Sequence, residues 1–101
     1  MQLKGANGTI TTFDDRLEIS RKTRATKTLR YEDIKAVEVL NPTMMIKGYI
    51  EFIIKDNPLV TRSVGIVSNR TANPYAVIFN GKNRRHLDEI EAMKNFLQSK
   101  I

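Results

Sequence analysis

A chain of 101 residues with 41% hydrophobic content and a net charge of +6 holds enough apolar material for one modest core and is too short for two domains. It contains no cysteine. That removes disulfides, thiolate metal sites and cysteine nucleophiles and, in so small a domain, points to a reducing cytoplasm. No stretch approaches the ~18 apolar residues of a spanning helix, and Met1-Gln2-Leu3-Lys4-Gly5 lacks the apolar run of a signal peptide.

Residues 8–13 are β-branched and aromatic, Asp14-Asp15 supplies a tight turn, and 16–21 alternates. Leu17 and Ile19 fall inward and Arg16, Glu18 and Ser20 outward, so the two runs form a hairpin. A polar stretch at 22–25 leads to a third strand over 26–31, with Leu29 and Tyr31 on one face. In 32–40, Ile34 and Val37 are three apart, which breaks alternation and predicts a short turn or bulge near Lys35. Asn41-Pro42 ends that strand. Residues 48–54 form the strongest strand, with Ile50, Phe52 and Ile54 on the buried side; Ile53 and Val39 are expected to face outward. Asp56-Asn57-Pro58 reads as a turn, 59–67 as a sixth strand, 68–74 as a polar loop and 75–79 as a seventh strand closed by Asn80-Gly81. Seven short, regularly spaced strands predict a small sandwich or barrel.

One helix follows, over about 84–100, with Asn83 as N-cap. Leu87, Ile90, Met93, Leu97 and Ile101 recur at helical spacing, and Phe96 widens the stripe. Arg84–Asp88 and Arg85–Glu89 are i,i+4 pairs on the solvent side. Burying five such side chains at ~2 kcal/mol each gains on the order of 10 kcal/mol gross, as much as a small domain's whole net stability of ~5–15 kcal/mol. The helix therefore reads as a lid on the open end of the strands.

The order of these pieces carries a resemblance. Gly5-x-Asn7-Gly8 enters the first strand and Leu17-Glu18-Ile19-Ser20-Arg21-Lys22 follows the first turn. Then come Lys27-Thr28-Leu29-Arg30-Tyr31-x-Asp33-Ile34-x-Ala36-Val37-Glu38 and Lys47-Gly48-Tyr49-Ile50-Glu51-Phe52, and Asn73-Pro74-Tyr75-Ala76-Val77-Ile78-Phe79 precedes the helix. The pattern, over essentially the whole chain, resembles the small bacterial pleckstrin-homology-like (PH-like) domains, in particular a family of unknown function often followed by a short C-terminal oligomerisation segment. The resemblance implies a seven-stranded, strongly bent antiparallel sheet or partly open barrel capped by the C-terminal helix. Ile101 falls where the oligomerisation segment would follow.

Candidate chemistry is sparse. His86, the one histidine, has Asp88 and Glu89 nearby but no serine or cysteine motif, so it reads as a solvated surface residue. Asp14, Asp15 and Asp56 lie on separate turns without metal-ligand spacing. Gly5-x-x-Gly8 has no following Lys-Ser and opens a strand, so it is not a nucleotide loop; its glycines let the chain enter the sheet.

The one concentration of charge is the basic hairpin 21–30, with Arg21, Lys22, Arg24, Lys27 and Arg30. The PH-like resemblance implies an anion site there. Five cations near an anionic membrane gain ~1 kcal/mol each, at best a sub-millimolar attachment, and no hydrophobic loop tip is expected to reinforce it. Tyr31, Tyr49 and Tyr75 offer a stacking surface for nucleic acid, although alternation puts Tyr31 with the core. Strand edges offer a third route, pairing with a peptide or a second copy.

The expectation is a non-catalytic, cofactor-free PH-like module acting by protein contact or self-association as a homo-oligomer. The alternative is an anion-binding module for phospholipid headgroup or nucleic acid through the 21–30 hairpin.

Overall fold

The computed structural model describes residues 1–21, 24–55, 74–81 and 84–101, apart from the side chains of Arg24, Arg84 and Arg85. The turn at 56–58, the strand at 59–67, the loop 68–73 and the Asn83 cap lie outside the described residues, as do both helix pairs that use Arg84 and Arg85.

The chain is mainly β. Strands β1 (Gln2–Lys4), β2 (Gly8–Thr12), β3 (Arg16–Arg21) and β4 (Arg24–Arg30) form one antiparallel meander. A 3₁₀ turn (Tyr31–Asp33) leads to a second, made of β5 (Ile34–Leu40), β6 (Gly48–Ile54) and β7 (Ala76–Phe79). Helix α1 (Arg84–Lys100) ends the described structure. Among the described residues the strands form two separate sheets, not one closed barrel. Strand β1 was not expected: its single apolar residue, Leu3, shows no alternation, and it is held by pairing with Ile10 of β2.

The expected inward residues of β3 and β4 meet across the sheet, Leu17 opposite Leu29, and join Ile10, Ile50, Phe52, Val77 and Phe79 in one core. The break near Lys35 is a register shift: Ile34 lies opposite Ile54 and Ala36 opposite Ile53, leaving Lys35 bulged and exposed. Beyond the bulge, Val37 and Val39 share a face and both pack on the core. The outward placement expected for Val39 is thereby corrected, since residues two apart on a strand cannot be divided between faces.

Strand β6 is buried on both sides. Tyr49 and Glu51 are buried with Ala76 and Ile78 on the face away from Phe52, and Glu51 is 0% exposed opposite Glu38 and Ala76. Glu38, Tyr49 and Glu51 each have an interaction partner. Ile53 is half-buried on this second face.

Helix α1 packs against β1 and β5, an edge strand of each sheet, and drives Ile90, Met93 and Leu97 into the core. Phe96 meets Tyr31 edge-on at 6.4 Å. Ile101 is not part of the stripe; it lies past the last helical residue and is exposed.

Strand direction sorts the connections into two ends. The turn 13–15, the 3₁₀ turn and the β6 terminus gather at one end: Tyr31 N donates to Asp15 O at 3.4 Å and Lys55 N to Asp33 O at 2.9 Å. The turn 5–7, the β3 and β4 ends at Arg21 and Arg24, the loop 41–47 and the start of α1 gather at the other. There Ala6 N donates to Ile78 O at 2.7 Å, and Asn7 Oδ1 accepts the Ile78 N–H at 2.9 Å. The contact is tight enough that a Cβ on Gly5 would stand 2.5 Å from Val77 Cγ1 and 2.6 Å from Ile78 O, so glycine is required there for close approach and not merely for entry into the sheet.

Candidate anion-binding surface

The basic hairpin divides. Arg21 and Arg24 are directly opposite at its tip, and Lys27 stands exposed opposite Ile19, on the face that carries Leu29 further along. Lys22 and the Arg24 side chain lie outside the described residues. Arg30 is six residues along β4 from Arg24, roughly 20 Å away at strand rise. It pairs in register with Arg16 at the opposite end of the molecule. That end carries mixed charge. Arg16 Nη1 holds Asp15 Oδ1 at 2.8 Å and its guanidinium lies 4.7 Å over the Phe13 ring, while Arg30 Nη1 is 3.4 Å from Glu32 Oε1. Arg30 therefore sits among Asp14, Asp15, Glu32 and Asp33, where its charge is offset locally.

The tip end is basic. Lys4 closes β1 there, the exposed Lys47 ends the loop 41–47, and Arg84 and Arg85 open α1, while the exposed Lys27 lies midway along β4, about 10 Å from Arg24 by strand rise. The connections at this end all fall in stretches without a single Asp or Glu: 1–13, 19–31, 39–50 and 57–87. Among the described residues the molecule thus has a basic pole and a pole of mixed charge, joined by the strands.

The basic pole also carries what the sequence was not expected to supply. In the loop 41–47, Met44, Met45 and Ile46 are 84%, 95% and 57% exposed. The loop is built to hold them out. Thr43 N donates to Ile46 O at 2.8 Å, and Thr43 Oγ1 accepts the N–H groups of Ile46 at 2.9 Å and Met45 at 3.3 Å. Pro42 is buried at the base. A Cβ on Gly48 would collide with Leu40 O and stand 2.5 Å from Pro42 N, and one on Gly81 would stand 2.7 Å from the Thr43 carbonyl carbon. The expectation of no hydrophobic loop tip is overturned. The signal was present as an apolar triplet between a strand-ending Asn-Pro and a glycine, in a segment too short to be a strand of its own.

His86 is only partly solvated: its side chain is 23% exposed, tilted against Phe79 at 5.6 Å, with Nδ1 3.8 Å from Glu89 Oε1. At the opposite pole, burial pushes the Tyr31 phenol above its ordinary value, and the Asp14 and Asp15 charges add to the rise. Among the described residues, no three His, Cys, Asp or Glu side chains gather in a metal-binding arrangement, and no helix is long and apolar enough to cross a membrane.

No protein-family model matches the chain, and no curated protein or solved structure matches it either.

Proposed function

We propose that this chain is a non-catalytic binding module of PH-like architecture that engages an anionic partner through its basic pole. The architecture is supported by the element order: a four-stranded meander, a three-stranded meander and a terminal helix on the core. The observation that carries the binding reading is the sorting of charge. Acidic side chains accompany Arg16 and Arg30 at one pole, and the exposed Lys4 and Lys47 stand at the other in acid-free stretches. Such a surface draws anions by a field that no single contact provides. Cations there gain ~1 kcal/mol each near an anionic surface, so Lys4→Glu with Lys47→Glu is expected to weaken binding to heparin or to anionic vesicles by roughly two to three orders of magnitude. Both side chains are exposed, so circular dichroism should be unchanged. Undiminished affinity in the folded double variant would remove this reading.

Self-association is the second reading, and one observation favours it. Strand β4 is an edge of its sheet, with residues 25–28 exposed, and an open edge is a template for pairing with a second copy. Lys27 on that edge works against it, since charged edge residues discourage pairing. Light scattering over a range of concentrations tests this; a strict monomer throughout would exclude it.

A further inference from the structure

We infer that the loop 41–47 is a membrane-interface anchor: Met44, Met45 and Ile46 enter the boundary between headgroups and acyl chains of an anionic bilayer, while Lys47 and the rest of the basic pole meet the lipid phosphates. This rests on the anionic-partner reading and narrows the partner to a lipid surface.

Scattered exposed apolar residues are ordinary, but three consecutive ones on a projecting turn are not. The turn's own construction removes the usual alternative, collapse of the side chains onto the protein. Thr43 closes it through three hydrogen bonds, buried Pro42 fixes its base, and the Gly48 and Gly81 backbones press against that base with no room for a side chain. The tip is held outward at no further cost in ordering, which is how a preorganised contact gains affinity.

The surroundings select the occupant. A soluble polyanion would use the cations and leave the apolar tip in water. A bilayer uses both, because apolar side chains a few ångströms deep and lysines at the phosphate level match its layered chemistry. Lys47, next in sequence to Ile46, can lay its aliphatic stem along the inserted residues and keep its ammonium among the headgroups. No acidic residue lies between Glu38 and Glu51 to be carried toward the lipid phosphates.

The chain has no tryptophan, so Met45→Trp places a single fluorescent reporter at the tip. On phosphatidylcholine vesicles containing phosphatidylserine, its emission should shift to the blue and be quenched by brominated acyl chains. Pure phosphatidylcholine should give neither effect. Met44→Ser/Met45→Ser/Ile46→Ser should lower vesicle affinity about a hundredfold while leaving heparin binding unchanged.

If the reporter stays in water while the protein still binds vesicles and heparin, insertion is overturned and the anionic-partner reading stands. If the wild-type chain binds neither vesicles nor heparin, both fall. If light scattering shows a dimer that the triple serine variant disperses, the tip is a protein contact and the membrane assignment is wrong.

Discussion

Tyr31 sits in the 3₁₀ turn between the two sheets, donates its hydroxyl to Phe13 O at 2.7 Å and meets Phe96 of α1 edge-on. One side chain thus ties the β2–β3 turn, the sheet junction and the helix. Tyr31→Phe keeps the ring contact and deletes the hydrogen bond, so it should cost about 1 kcal/mol and lower Tm by about 4–8 °C. The phenol adds a pH dependence of known sign. Its folded pKa is raised, so the folded state holds its proton more tightly than the unfolded chain. Stability from this group is full below the unfolded phenol value of ~10 and is lost as pH rises through the higher folded value. The wild type should therefore lose stability above about pH 10 more steeply than Tyr31→Phe, and the difference in urea midpoint should narrow with pH. A constant difference across that window would show that Tyr31 does not titrate on unfolding.

At the scale of elements, α1 closes the space between edge strands that pair on one side only. Its stripe is buried where it touches both sheets: Ile90, Met93 and Leu97 are core residues, and Leu87 is half-buried. Leu97→Ala should cost about 2–5 kcal/mol through lost transfer energy and the cavity left behind, a large share of a domain's ~5–15 kcal/mol. Ile90→Asp or Leu97→Asp should unfold the chain, whereas Gln98→Ala on the exposed side should stay within about 0.5 kcal/mol; thermal melts by circular dichroism distinguish them. This helix was legible in the sequence because its apolar spacing is long and regular. The β3 alternation and the Lys35 bulge were legible for the same reason, as each pattern decides which side chains leave water. Gln2–Lys4 was not, since three residues carry no period. The double burial of β6 was hidden because alternation reports one face, and nothing local says that a second layer covers Glu51. The loop tip was the costliest omission. An apolar triplet is ordinarily read as interior, and only the buried Pro42 and the Thr43 hydrogen bonds turn it outward.

For the whole molecule, the distribution of charge matters more than its sum. The poles are separated by about a strand length, on the order of 20 Å for seven residues, while the screening length at physiological salt is ~8 Å. An anionic surface touching the basic pole is therefore nearly blind to Asp14, Asp15, Glu32 and Asp33. The basic hairpin alone was only part of this arrangement, because a run of Arg and Lys in sequence does not reveal that β4 carries Arg30 to the far end. Exchanging charge between poles tests the point directly. Lys47→Glu with Asp33→Lys reverses one exposed side chain at each pole and leaves the net charge at +6. If the pole governs binding, the double variant should bind anionic vesicles as weakly as Lys47→Glu alone, about thirtyfold below wild type for a two-unit change at ~1 kcal/mol per charge. Asp33→Lys alone should match wild type. If attraction follows overall charge instead, Asp33→Lys should bind more tightly than wild type and the double variant should recover wild-type affinity, which would place the binding determinant in the net charge and not at the end of the molecule where the apolar tip stands.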